Sequence, residues 1–115
     1  MTIALVLFAL AAVGGVYMAA VRFRGADRPP TAVALVHGAA AAAGLIALIV
    51  AVMGMAEPGL AKTALVVFIV AALGGFFLFT QHMQSKALPI PVVVIHGLIA
   101  VVGFVILLVA VTHAA

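Results

Sequence analysis

The chain has 115 residues, 70% of them hydrophobic and 6% charged, with a net charge of +3 and neither Cys nor Trp. A water-soluble domain carries about 25% charged residues, so this chain is expected in lipid. The lack of Cys excludes disulfides, thiolate metal sites and thiol nucleophiles, and Arg22, Arg24, Arg28, Lys62 and Lys86 are too few and too local for a nucleic-acid footprint.

In chain order, the first apolar run is Thr2–Val21. It has no basic leader, so it reads as a helix rather than a signal peptide. A polar break, Arg22-Phe23-Arg24-Gly25-Ala26-Asp27-Arg28-Pro29-Pro30, precedes the second run, Thr31–Met55. Glu57-Pro58-Gly59 leads into the third, Leu60–Thr80, and Gln81 to Lys86 separates it from the fourth, Leu88–Thr112. Each run is about the 20 residues that cross a hydrocarbon core as helix. Short breaks make neighbouring helices antiparallel. The expectation is an all-α, integral-membrane, four-helix up-down bundle forming a single domain over residues 1–115.

The bundle is expected to consist of two tandem helical hairpins. Ala4-Leu5-Val6-Leu7-Phe8 returns 60 positions later as Ala64-Leu65-Val66-Val67-Phe68, and Gly14-Gly15 returns as Gly74-Gly75. After a one-residue shift, Pro30, His37-Gly38, Ala41 and Gly44 match Pro89, His96-Gly97, Ala100 and Gly103. The first unit covers about 1–56 and the second about 60–115, which implies a two-fold axis along the membrane normal.

Basic residues set orientation. Arg22, Arg24, Arg28 and Lys86 gather in loops 22–30 and 81–87, against Lys62 alone opposite. Those loops are expected to be cytoplasmic and both termini outside, in a prokaryotic inner membrane.

Ionisable groups inside a span are costly and point to function. His82 and His113 sit at helix ends and read as interfacial. His37 and His96 each lie seven residues beyond a proline, about 10 Å along the helix. Small residues follow on the same face, Ala41 and Gly44 after His37 and Ala100 and Gly103 after His96. Gly14-Gly15 and Gly74-Gly75 lie at the same depth on the other two helices. With the second and fourth helices on a diagonal, the two imidazoles face each other with room for one metal ion and a flat macrocycle. Haem iron accepts two such ligands, and Arg22, Arg24, Arg28 or Lys86 could meet its propionates.

This pattern resembles one haem level of the membrane cytochrome b family. The resemblance covers all four spans and implies that His37 and His96 ligate a non-covalent haem b. It also implies that the paired glycines of the first and third helices let the porphyrin pack. The family carries two histidines on each ligating helix and hence two haems. Here neither helix holds a second buried histidine, so one haem is expected.

The expected function is electron transfer within the membrane, with a quinone or a redox protein as partner, in a homo-oligomer or a larger complex. It is an electron carrier more than a catalyst. The alternatives are a non-catalytic structural or assembly subunit of a larger membrane complex, and a membrane protein whose histidines bind a pigment or a bare metal ion. A small transporter ranks below these, because Asp27 and Glu57, the only acids, both lie in loops. Phe8, Phe68, Tyr17 and the Phe76-Phe77-Phe79 cluster read as packing or belt aromatics.

Overall fold

The computed structural model describes residues 1–113; Ala114 and Ala115, which close the expected second unit, lie outside the described residues. Four helices make up the fold, α1 (Thr2–Phe23), α2 (Thr31–Met53), α3 (Gly59–Met83) and α4 (Ile90–His113). All four are long and apolar enough to cross a membrane.

The helix ends depart from the apolar runs by a few residues. Helix α3 continues through Gln81, His82 and Met83, because backbone hydrogen bonding carries a helix past the point where its side chains turn polar. Helix α2 stops at Met53, before the run of apolar residues ends. Prolines mark three starts: Pro30 and Pro58 are the N-cap residues of α2 and α3, and Pro89 immediately precedes α4. At these positions the missing N–H removes no helical hydrogen bond.

Helices α1 and α3 end in the same way. The N–H of Ala26 reaches the Val21 carbonyl and that of Gly25 reaches Arg22, while Lys86 reaches Gln81 and Ser85 reaches His82. This is the Schellman pattern, which needs a left-handed residue just past the helix. Gly25 (φ 110°) and Ser85 (φ 57°) fill that place.

Helix α1 packs closely along α2, and α3 along α4. The two hairpins meet more sparsely, through α2 against α3 and α1 against α4, leaving α1/α3 and α2/α4 as the diagonals of a rod 45 × 19 × 18 Å in extent. The inward stripe of α1 is Ala4, Phe8 and Ala11, that of α3 is Ala64, Phe68 and Ala71, and Leu48 and Leu107 are fully buried between them. These residues recur every three or four positions, so each helix turns one narrow face inward. Large apolar side chains such as Val13, Val16, Phe76 and Leu98 point outward. Small residues, Ala4, Ala11, Ala64 and Ala71, alternate with Phe8 and Phe68 on the inward faces and let the helices approach closely.

Candidate functional site

Two layers of side chains cross the bundle on its two diagonals. The first is aromatic: Phe8 of α1 and Phe68 of α3 stack with ring centroids 3.8 Å apart and planes 1° from parallel. Gly44 and Gly103 form the notches for these rings, since a Cβ at Gly44 would lie 3.3 Å from Phe8 and one at Gly103 3.2 Å from Phe68. Gly44 and Gly103, expected to extend the histidine grooves, instead belong to this phenylalanine layer. Their spacing from the histidines is two helical turns, about 10 Å along the axis, and aromatic rings fill the space there.

The second layer is imidazole. His37 of α2 and His96 of α4 meet across the other diagonal with ring centroids 6.4 Å apart and planes at 82°. His37 Nδ1–H donates to the Ala11 carbonyl at 2.7 Å, and His96 Nδ1–H donates to the Ala71 carbonyl at 2.8 Å. A carbonyl can only accept, so these bonds place a proton on Nδ1; in the neutral imidazole the lone pair then lies on Nε2. Neither Nε2 has a hydrogen-bond partner among the described residues, and neither is closed off from a water-sized group.

The paired glycines lie at this level, as expected, and what they touch is the histidine of their own hairpin. A Cβ at Gly14 would stand 3.4 Å from His37 Cβ, and one at Gly15 3.2 Å from His37 Cε1. At Gly74 and Gly75 the distances to His96 are 3.5 Å and 3.1 Å. The glycines therefore let each imidazole sink against the neighbouring backbone, where it finds the carbonyl. Ala41 and Ala100 are half-buried on the same helices.

At the polar end, the expected cations separate into two groups. Arg22 Nε–H donates to the Leu88 carbonyl at 2.8 Å, and the Leu88 N–H donates to the Asp27 carbonyl at 3.0 Å, so the two polar loops are tied together at one end of the rod. Arg24 and Lys86 are exposed and Arg28 is half-buried, and none of the three makes a side-chain hydrogen bond among the described residues.

His82 was expected to be interfacial. It is instead a buried polar side chain, 7% exposed, with Nε2 2.9 Å from the Thr31 hydroxyl. It closes the α2–α3 seam much as Arg22 closes the α1–α4 seam. The available signal was its register, since His82 stands where Arg22 does in the first hairpin; hydropathy alone assigned both to the surface. His113 lies as expected at an exposed helix end, bonded to the Val109 carbonyl.

Chemically, the histidine layer offers two imidazole Nε2 atoms, one from each of two opposite helices. Among the described residues no group of three or more His, Cys, Asp or Glu side chains could hold a metal ion. No family model, curated protein or solved structure matches this chain.

Proposed function

We propose that the chain is a membrane-embedded b-type cytochrome that holds one haem b between His37 and His96 and carries single electrons. The observation behind this reading is the 6.4 Å separation of the two rings. With a metal–imidazole bond of about 2.0 Å, two rings bound on opposite sides of one ion have centroids about 6.3 Å apart. The donor set also suits the group. Two protein nitrogens are too few to retain a bare ion, whereas a porphyrin brings four nitrogens and needs only two axial ligands.

When bound, the haem supplies one-electron exchange between ferric and ferrous iron. The chain supplies the rest. Ala11 and Ala71 fix the tautomer and aim of the imidazoles, and such carbonyl partners raise ligand basicity. With both His37 and His96 bound to it, the iron would have no ligand position left for oxygen. Arg22 is engaged with Leu88, so Arg24, Arg28 and Lys86 are the cations left to meet the haem carboxylates.

The same reading takes the chain as two copies of one hairpin in a bilayer, with the 22–30 and 81–87 loops cytoplasmic. A quinol or a redox protein exchanges electrons with it, and a homo-oligomer or larger complex is its setting. A structural reading has one observation in its favour: the ring geometry also satisfies an edge-to-face aromatic contact. Against it stands the use of Nδ1, not Nε2, to hold each ring to a backbone carbonyl, which leaves Nε2 of both rings without a protein partner among the described residues and available as a ligand.

The test is the visible spectrum of protein purified from haem-replete cells, oxidised and then reduced with dithionite. Sharp low-spin bands on reduction are expected, and a colourless preparation would overturn the cytochrome in favour of the structural subunit. Cysteine introduced at Thr2 should react with an impermeant reagent in intact cells; protection there would reverse the orientation.

A further inference from the structure

His82 has no part in holding the proposed haem, yet it is a buried imidazole at a seam between the hairpins. It lies on α3, seven residues beyond Gly75, which touches His96. At 1.5 Å per residue it stands about 10 Å from the histidine layer, toward the polar loops. Its one hydrogen-bond partner is the Thr31 hydroxyl. A hydroxyl oxygen accepts as well as donates, so Thr31 can accept from His82 Nε2–H in both the neutral and the charged imidazole, which leaves the Nδ1 lone pair to take up a proton without rearrangement. The other nitrogen, Nδ1, makes no hydrogen bond among the described residues and is not closed off from a water-sized group. Nδ1 is therefore the nitrogen left open to a proton.

The ionisable groups at this end of the neighbouring elements are Arg22 of α1, Arg24, Asp27 and Arg28 of the first polar loop, and Lys86 of the second; deeper lie His37 of α2 and His96 of α4, and Lys62 and His113 stand at the opposite end of the rod. None of them hydrogen-bonds His82 among the described residues. The chain thus places a titratable group, with a partner for both its states, next to a site that changes charge by one unit.

We propose that His82 is the proton partner of the redox site: when the metal held by His37 and His96 takes up an electron, His82 takes up a proton at Nδ1. This rests on the cytochrome reading. The electron comes from a one-electron donor of the quinol or redox-protein class and the proton from water at the polar face, so that net charge is conserved within the bundle. No bond other than N–H forms. A unit charge about 10 Å away, at an effective dielectric of about 20, alters the ease of reduction roughly tenfold, which is about 59 mV for a one-electron couple. The sign follows from charge: a protonated His82 favours the reduced site, so the midpoint potential falls as pH rises.

The test is a spectroelectrochemical titration of the haem-loaded protein from pH 5 to pH 8, with wild type beside His82→Gln. Glutamine keeps a hydrogen-bonding group toward Thr31 and takes no proton. The wild-type midpoint is expected to fall by up to about 59 mV in total, and the variant to lose most of that fall. Haem carboxylates also titrate in acid, and their share is what the variant retains. Equal slopes in the two proteins would overturn the role of His82 and leave the cytochrome intact, whereas a protein without haem would overturn both. Reduced-minus-oxidised infrared spectra of wild type with labelled histidine serve if the variant fails to fold. A protonated-imidazole band gained on reduction is expected, and its absence overturns the proposal.

Discussion

Phe8 and Phe68 lie face to face at 3.8 Å on the axis of the bundle, each with a glycine of the next helix behind its ring. Four helices meet in this contact, so it helps to set the spacing of the bundle next to the histidine layer. Phe68→Ala should cost about 3–5 kcal/mol, as removal of a packed aromatic does. Gly103→Leu should cost about 1–3 kcal/mol by overfilling the same notch. Thermal unfolding in detergent, followed by circular dichroism, measures both. A change below about 0.5 kcal/mol in Phe68→Ala, the usual scatter for surface substitutions, would mean the stack is not a core contact.

Replacing His37 or His96 with Ala should abolish the low-spin spectrum and the haem while leaving helix content unchanged. His113→Ala should keep full haem occupancy, since that residue is bonded to its own helix at an exposed end. Retained bis-imidazole bands in His37→Ala would assign the axial ligand elsewhere.

Enlarging the glycines tests the placement of the imidazoles. At Gly15 and Gly75 a Cβ already stands 3.2 Å and 3.1 Å from Cε1 of the histidine ring, so leucine there pushes the ring from its carbonyl. Gly15→Leu and Gly75→Leu should give helical, monodisperse, haem-depleted protein. Gly38 and Gly97 have nothing within 4 Å of a Cβ, and Gly38→Leu and Gly97→Leu should leave the haem-to-protein absorbance ratio unchanged. Full occupancy in both leucine variants at Gly15 and Gly75 would remove the glycines from the site.

The loop after α3 carries a correctable strain. Ser85 adopts φ 57° where the equivalent turn after α1 uses Gly25. A left-handed conformation costs an ordinary residue about 1–2 kcal/mol, partly offset by the looser unfolded chain of a glycine variant. Ser85→Gly should therefore raise stability by about 0.5–1 kcal/mol, and Gly25→Val should lower it. Denaturation midpoints in mild detergent would show this, and a destabilised Ser85→Gly would mean the serine side chain contributes more than the turn geometry costs.

The sequence by itself determined the number of helices, their near-full extent, and which helix pairs lie on diagonals. Apolar runs long enough to span a membrane, broken by short polar segments, leave a chain few other arrangements, because backbone polar groups in lipid must be satisfied within each helix. It also singled out His37, His96 and the paired glycines, since ionisable and side-chain-free residues stand out against a uniform apolar background. Three things were decided only by tertiary structure. The Ala11 and Ala71 carbonyls that receive the imidazoles belong to the backbone, which has no signature in residue type. The assignment of Gly44 and Gly103 to the phenylalanine layer depends on rings reaching across from α1 and α3, and no pattern along α2 or α4 encodes it. The burial of His82 against Thr31 arises where two hairpins distant in sequence close on each other, a contact that local hydropathy assigns to the surface.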